Sequence, residues 1–202
     1  MRNIGEYKII YADPPWNYDD QGCRGTMAHH YSGMSVDDIK ALPVRNLAAD
    51  DAVLFIWVTY PFLREGLDVI EAWGFKYKTI AFQWVKTYPS GSDFFGLGRW
   101  TRGNTEPCLL GVKGKPKRCD SGISQIIRSR VREHSRKPDV VREKIVQLMG
   151  NYPRVELFAR QRFEGWDVWG DEAPTKTQCR LDDRTQVPEK RTNTLTPFEG
   201  KL

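Results

Sequence analysis

YKIIYADPPW, residues 7–16, decides how the rest of the chain is read. Tyr7 to Ala12 is a short continuous run of β-forming residues, as a strand buried on both faces should be. It stops at Asp13, and Pro14 and Pro15 then remove two backbone donors and stiffen the turn before Trp16. In open α/β sheets ligands bind beyond the carboxyl ends of the strands. The strand is therefore expected to present an acid, two prolyl carbonyls and an indole at such an end.

The downstream pattern supports an α/β layer fold with a mostly parallel sheet, because strand-like and helix-like segments alternate. Residues 17–34 are polar and loop-like, and Ser35 with Asp38 three residues on predicts a capped helix to about Leu42. AVLFIWV (52–58) reads as a central parallel strand. A helix is expected from Pro61, with Leu63, Leu67 and Ile70 on its buried stripe and Gly74 as its stop. Strands are predicted over 77–85, 107–114, within SQIIRSRV (124–131), and over 154–159, with a short element at WDVWG (166–170). A glycine-rich loop with arginines and aromatics fills 87–104, and a helix over 138–149 turns Val141, Ile145 and Leu148 inward. The segment 173–202 is polar with Pro174, Pro188 and Pro197 and reads as a tail after one domain at 1–172.

Composition narrows the class. Of 202 residues 40% are hydrophobic, enough for one domain with a real core. No apolar run approaches the ~20 residues of a membrane span. MRNIGEYK lacks an apolar signal core. Cys23, Cys108, Cys119 and Cys179 are widely spaced, as free thiols of a cytoplasmic protein would be, and no zinc-ligand spacing involves them, so no metal is expected. The net charge is +5, but nine basic residues between Lys113 and Lys137 meet only Asp120 and Glu133, leaving that stretch at +7 and the remainder at −2. Such a run suggests a polyanionic partner.

The chemistry of Asp13-Pro14-Pro15-Trp16 suits a flat heterocycle with an exocyclic amine. Two fixed acceptors take both N–H bonds while the ring stacks on the indole. Adenine fits, and acceptors around its N6 would stabilise charge developing there. The base would have to leave a duplex or start unpaired.

These residues resemble the catalytic motif of the amino-methyltransferases in its DPPW form. That form marks the family of the seventy-kilodalton catalytic subunit of the eukaryotic mRNA N6-adenosine methyltransferase, which has small bacterial and phage members. The resemblance runs from Tyr7 to Glu172 through HYSGMSVDDIKAL, FIWVT (55–59), GLGRWTRGNTEPCLLGVKGKP (96–116), HSRKPDVVREKIVQL (134–148), VELFAR (155–160) and WDVWGDE (166–172). It implies a Rossmann-like methyltransferase fold with helices on both sheet faces and permuted motifs, the catalytic one first and the cofactor segment last. That order accounts for the missing G-x-G-x-x-G after Ala12.

By the same resemblance the cofactor is S-adenosylmethionine, leaving as S-adenosylhomocysteine. Lys137 would meet its carboxylate end, and Glu156, Leu157, Phe158, Arg160, Asp171 and Glu172 would line its pocket. Asp13 and Pro15 would face both cofactor and target amine. Tyr31, Arg99, Trp100, Arg102 and Glu106 would contact substrate or brace the site, with Arg128 and Arg130 on the nucleic-acid backbone. Two positions depart from the mRNA enzyme: Asp171-Glu172 replaces an amide pair, and Arg162-Phe163 replaces a His-Asn pair.

The resulting expectation is direct in-line methyl transfer to N6 of adenine in DNA, by a monomer or a homodimer. The rival readings are an RNA N6-adenosine methyltransferase, an inactive nucleic-acid-binding relative, and a dinucleotide-dependent oxidoreductase. The last lacks its glycine fingerprint.

Overall fold

The computed structural model describes residues 5–17, 33–98, 100–133 and 136–170. Tyr31, Arg99, Asp171, Glu172 and the tail lie outside the described residues.

Seven strands form one sheet: β1 (Tyr7–Ala12), β2 (Ala48–Trp57), β3 (Lys76–Thr87), β4 (Thr105–Lys113), β5 (Ile126–Arg130), β6 (Arg154–Leu157) and β7 (Asp167–Trp169). Their order is β5-β3-β4-β2-β1-β6-β7. Four of the six pairings are parallel, and only β4 runs against its neighbours β2 and β3. The sheet is thus mostly parallel, but β2, expected to have parallel neighbours, pairs in parallel with β1 alone. β1 lies between β2 and β6, both parallel to it, so the chain leaves β1 in one direction and returns on its other side. This is the strand-order reversal at which α/β folds open a ligand crevice.

Helices cover both faces. Over one lie α1 (Val36–Ala41), α2 (Val44–Leu47) and α3 (Leu63–Ala72), packed with Ile10, Leu54, Ile56, Leu109 and Val155. Over the other lies α4 (Val140–Met149), packed with Ile9, Tyr11, Phe55, Trp57, Phe82 and Trp84. Ser35 caps α1 as expected, its hydroxyl oxygen accepting from the Asp38 N–H at 3.1 Å. The stripe of α3 is displaced from the expected one. Gly66, Val69 and Ile70 are buried while Leu63 is exposed, because a 3₁₀ turn at Tyr60–Phe62 precedes the helix and buries Phe62 instead. A Cβ at Gly66 would meet the Val58 side chain at 2.4 Å, so this face needs a glycine to approach β2. In α4 the buried residues are Val141, Ile145 and Met149, with Leu148 only partly covered. Gly74 ends the α3 region with φ +83°, a conformation glycine adopts without strain.

Strand direction divides the basic run. β3 and β5 run with β1, whereas β4 runs against β2. The end of β4 and Lys115, Lys117 and Arg118 therefore sit at the edge opposite Asp13, while Arg128 and Arg130 point toward the edge that Asp13 occupies. The 113–137 run, expected to meet a polyanion, is thus divided between two edges of the sheet. Several of its members are also used internally: Lys113 donates to the Ala48 carbonyl at 2.9 Å, and Arg132 and Arg136 hold Asp139.

Candidate active site

Asp13 follows directly from β1, and 28% of its side chain is accessible. Both carboxylate oxygens accept from Lys137 Nζ, at 2.9 Å and 3.0 Å. The same ammonium donates to Glu106 Oε1 at 3.0 Å, and Glu106 Oε2 accepts from Lys86 Nζ at 2.8 Å. Four alternating charges thus run along the sheet edge from β1 through the turn before α4 to the start of β4 and the end of β3. Lys137 lies over the Trp57 ring at 5.7 Å and Lys86 over the Trp84 ring at 4.9 Å, so each cation is also backed by an aromatic face.

The electrostatics follow from this order. Withdrawal from water pushes the Asp13 carboxyl above its ordinary value and Glu106 adds to the rise, while Lys137 opposes it. Burial also works to raise Glu106, but Lys137 and Lys86 outweigh it and hold that carboxyl below its ordinary value. Burial works to lower Lys137, yet Asp13 and Glu106 outweigh it and hold the ammonium well above the usual lysine range. Glu106 thus stays ionised, whereas Asp13 is the more basic carboxylate and faces the opening.

The turn itself is tight. The Trp16 N–H donates to the Pro14 carbonyl at 2.9 Å and the Met34 N–H to the Pro15 carbonyl at 3.0 Å. The prolyl carbonyls expected as open acceptors each already hold one backbone donor, which leaves one lone pair apiece. Trp16 departs from its expected role more sharply. Only 8% exposed, its indole stacks on Phe62 at 5.7 Å and donates Nε1–H to the Trp57 carbonyl at 3.0 Å. It anchors the turn to β2 and offers no stacking plate for a base.

A second buried pair lies one strand away. Arg142 of α4 grips both oxygens of Glu156, at 2.7 Å and 2.5 Å, and reaches Asp139 at 3.2 Å. Its guanidinium covers the Phe163 ring at 3.6 Å and lies 5.4 Å from the Tyr11 ring. Glu156, expected to line the cofactor pocket, is instead turned under the sheet toward α4, because it alternates with the apolar Val155 and Leu157 on the other face. Phe163, one of the two departures from the mRNA enzyme, is part of this clamp. Arg142 and Lys86 were both missed in the sequence. Spacing gives no signal for the pairs Arg142–Glu156 and Lys86–Glu106, whose members lie on different elements.

Past β6 the backbone changes course. Phe158 adopts φ +61°, uncommon for a residue with a side chain, and its ring packs edge-on to Trp169 at 5.3 Å. A Cβ on Gly170 would meet the Ala159 carbonyl at 2.5 Å, so glycine allows β7 to close on this bend. Arg160 is exposed just beyond and lies near enough to Asp13 to lower its pKa. Asp13 thus ends β1, and Phe158 and Arg160 follow the end of its parallel neighbour β6, with Arg160 near enough to act on Asp13. Lys137 is spent on Asp13 and Glu106 rather than pointing to a ligand carboxylate. Arg128 is exposed and pairs with Asp93 at 3.1 Å, and Arg102, Arg130 and Trp100 are exposed.

The family model of MT-A70 matches residues 7–172. The chain belongs to the MT-A70 family. MT-A70 methyltransferases use S-adenosylmethionine. The type II methyltransferase M.MunI of a Mycoplasma species is 32% identical over 91% of this chain and 82% of its own length. An MT-A70-like N(6)-adenosine-methyltransferase of Arabidopsis thaliana is 32% identical over 85% of this chain, and the human N(6)-adenosine-methyltransferase catalytic subunit METTL3 is 31% identical over 78%. This MT-A70 chain spans about a quarter of the length of those two eukaryotic relatives, at 24% and 26%.

Proposed function

We propose that this chain is a site-specific methyltransferase acting on N6 of adenine in DNA, with S-adenosylmethionine as donor. The observation that carries the reading is Asp13 at the strand-order reversal, paired with Lys137 and with 28% of its side chain accessible. The crevice fits such a donor in chemistry. Asp13 would suit a cationic sulfonium centre, the Phe158 ring a flat base, and the Arg160 cation a carboxylate. When bound, S-adenosylmethionine supplies an electrophilic methyl group on a sulfonium sulfur.

This chain's own residues would do the rest. The Asp13 carboxylate accepts an N6–H hydrogen bond, orients the amine and stabilises the positive charge that builds on nitrogen. Its raised basicity suits it to hold the proton that N6 sheds. The free lone pairs on the Pro14 and Pro15 carbonyls offer a second acceptor. Lys137 acts on the reaction by holding Asp13 ionised and fixed, and Glu106 by holding Lys137. In the same reading the 171–172 acids belong to the donor side and Tyr31 and Arg99 to the substrate side, while Leu157, expected on the donor side, has its side chain wholly buried in the core.

DNA is favoured over RNA because the type II methyltransferase is matched over most of its length, the N(6)-adenosine-methyltransferases over about a quarter. The test is incubation with labelled S-adenosylmethionine and, separately, unmethylated genomic DNA and total RNA, followed by nucleoside mass spectrometry. N6-methyldeoxyadenosine at a defined sequence context is the expected product. Label in RNA only would replace the substrate, and label in neither, with no donor binding, would remove the enzyme reading.

A further inference from the structure

The segment between β3 and β4 is built differently from an ordinary surface loop. It leaves the sheet at Thr87 and returns at Thr105, at the edge that carries Asp13. Its root is well tied: Thr87 bridges Asp93, the Phe94 N–H donates to the Lys86 carbonyl at 3.0 Å, and Tyr88 packs on Phe94 at 5.1 Å. Beyond that root it folds back on itself so closely that a Cβ on Gly96 would sit 2.1 Å from the Gly103 carbonyl. A Cβ on Gly98 would sit 1.9 Å from the Thr101 carbonyl. Only glycine permits so narrow a finger.

The tip is apolar and uncovered. Phe95 is 69% exposed, Leu97 82% and Trp100 99%. Bare large side chains on a tied, narrow support mark a surface that something else covers. Cations flank them: Arg102 on the finger itself, Arg130 at the end of the adjacent β5, and Arg128, which ties Asp93 of the finger to β5. A second copy would bring the same excess of arginines to the contact, whereas an anionic partner would offset it. A polyanion with apolar planes inside it matches both features at once.

We propose that the finger of residues 94–98 and 100–103 wedges into the base stack of duplex DNA beside the target adenine, Trp100 and Leu97 replacing the stacking contacts that the extruded base gives up. This rests on the reading of the site as an adenine methyltransferase and specifies how it obtains an unpaired base. The finger's two feet, Lys86 and Glu106, are members of the charge chain that ends on Asp13, so the wedge and the acid are mounted on one rigid edge. Aromatic side chains stacked on bases and apolar wedges between base steps are established means of holding unstacked nucleotides.

The experiment compares methyl transfer by the full chain to unmethylated genomic DNA in native and in heat-denatured form, for the unmodified protein, Trp100→Ala and Leu97→Ala. Both substituted side chains are exposed, so folding is preserved, and far-ultraviolet circular dichroism verifies it. The expected result is a loss on native DNA that exceeds the loss on denatured DNA by about tenfold for Trp100→Ala, and by less for Leu97→Ala. Equal losses on the two forms, or no loss on either, would overturn the wedge. Transfer by the unmodified protein to denatured DNA alone would also overturn it. A change in the sedimentation of the DNA-free variants would assign the finger to an interface between copies instead. No transfer by the unmodified protein to either form, with no donor bound, would remove the methyltransferase reading and the wedge with it.

Discussion

Two regions at one sheet edge invert the usual distribution of polar and apolar groups. Along the edge, Lys86, Glu106, Lys137 and Asp13 place four charges in or near the interior. A few residues away, Phe95, Leu97 and Trp100 place three large apolar groups in water. The charged row is satisfied entirely within the chain, each group having an opposite neighbour. The apolar tip is satisfied by nothing among the described residues. A buried ion-pair network stabilises little compared with a hydrophobic core of the same shape, but breaking it at one member is costly. The edge therefore behaves as a rigid mount that fixes geometry. The finger contributes little to the fold and is kept for contact.

If that contrast is right, substitutions in the two regions separate stability from activity. The largest effect on stability is expected at Glu106→Ala, which removes the carboxylate shared by buried Lys137 and partly exposed Lys86. A loss of about 3–5 kcal/mol in chemical denaturation is expected. Lys86→Met is milder, because Glu106 keeps Lys137. A loss of about 1–2 kcal/mol at most would agree with Lys86 being partly exposed and screened.

The two carboxylates also oppose each other in pH. Glu106 sits below its ordinary value in the fold, so its stabilisation is present above the unfolded carboxylate value and fades as pH falls through the folded one. Asp13 sits above its ordinary value, so its folded form prefers the proton and its ionisation costs stability as pH rises through the unfolded value. Urea midpoints between about pH 3 and 6 for the unmodified chain and for Asp13→Asn should therefore diverge. The variant should lose less stability than the parent as pH rises. Methyl transfer, which needs ionised Asp13, should fall off on the acid side at a pH above that of an ordinary aspartate.

On the finger, Trp100→Ala and Leu97→Ala should change folding stability by no more than about 0.5 kcal/mol, since neither side chain is buried. Destabilisation comparable to Glu106→Ala would show that the finger belongs to the core after all. The smallest effect is expected at Arg130→Ala. The slope of log affinity for DNA against log salt should shrink by about one if that side chain neutralises a phosphate. An unchanged slope would move the backbone contact elsewhere.

How much of this was legible in the sequence varies with the range of the interaction. β1, the α1 cap and the stop at Gly74 are local, and YKIIYA, Ser35-x-x-Asp38 and the glycine announce them within a few residues. The antiparallel course of β4 was not legible, because a buried strand has the same apolar run in either direction. That missing direction also hid the division of the basic run between two edges. In the site, Asp13 and Glu106 were legible as acids at motif positions, but their joint use of Lys137 joins positions 13, 106 and 137, and no local pattern encodes it. Trp16 misled for a related reason. A tryptophan beside two prolines reads equally as a plate for a ligand or as an anchor, and only the position of Phe62 decides for the anchor.

The central claim is that Asp13, ionised beside Lys137, is the acceptor on which methyl transfer depends. The most direct measurement is single-turnover transfer of labelled methyl from S-adenosylmethionine to unmethylated DNA by the unmodified chain and Asp13→Asn, alongside donor affinity for each. Asparagine keeps the size and removes the charge and the basicity. The predicted result is a rate lower by about two to three orders of magnitude with donor affinity changed by less than about tenfold. A variant that transfers methyl at near the parental rate would contradict the claim.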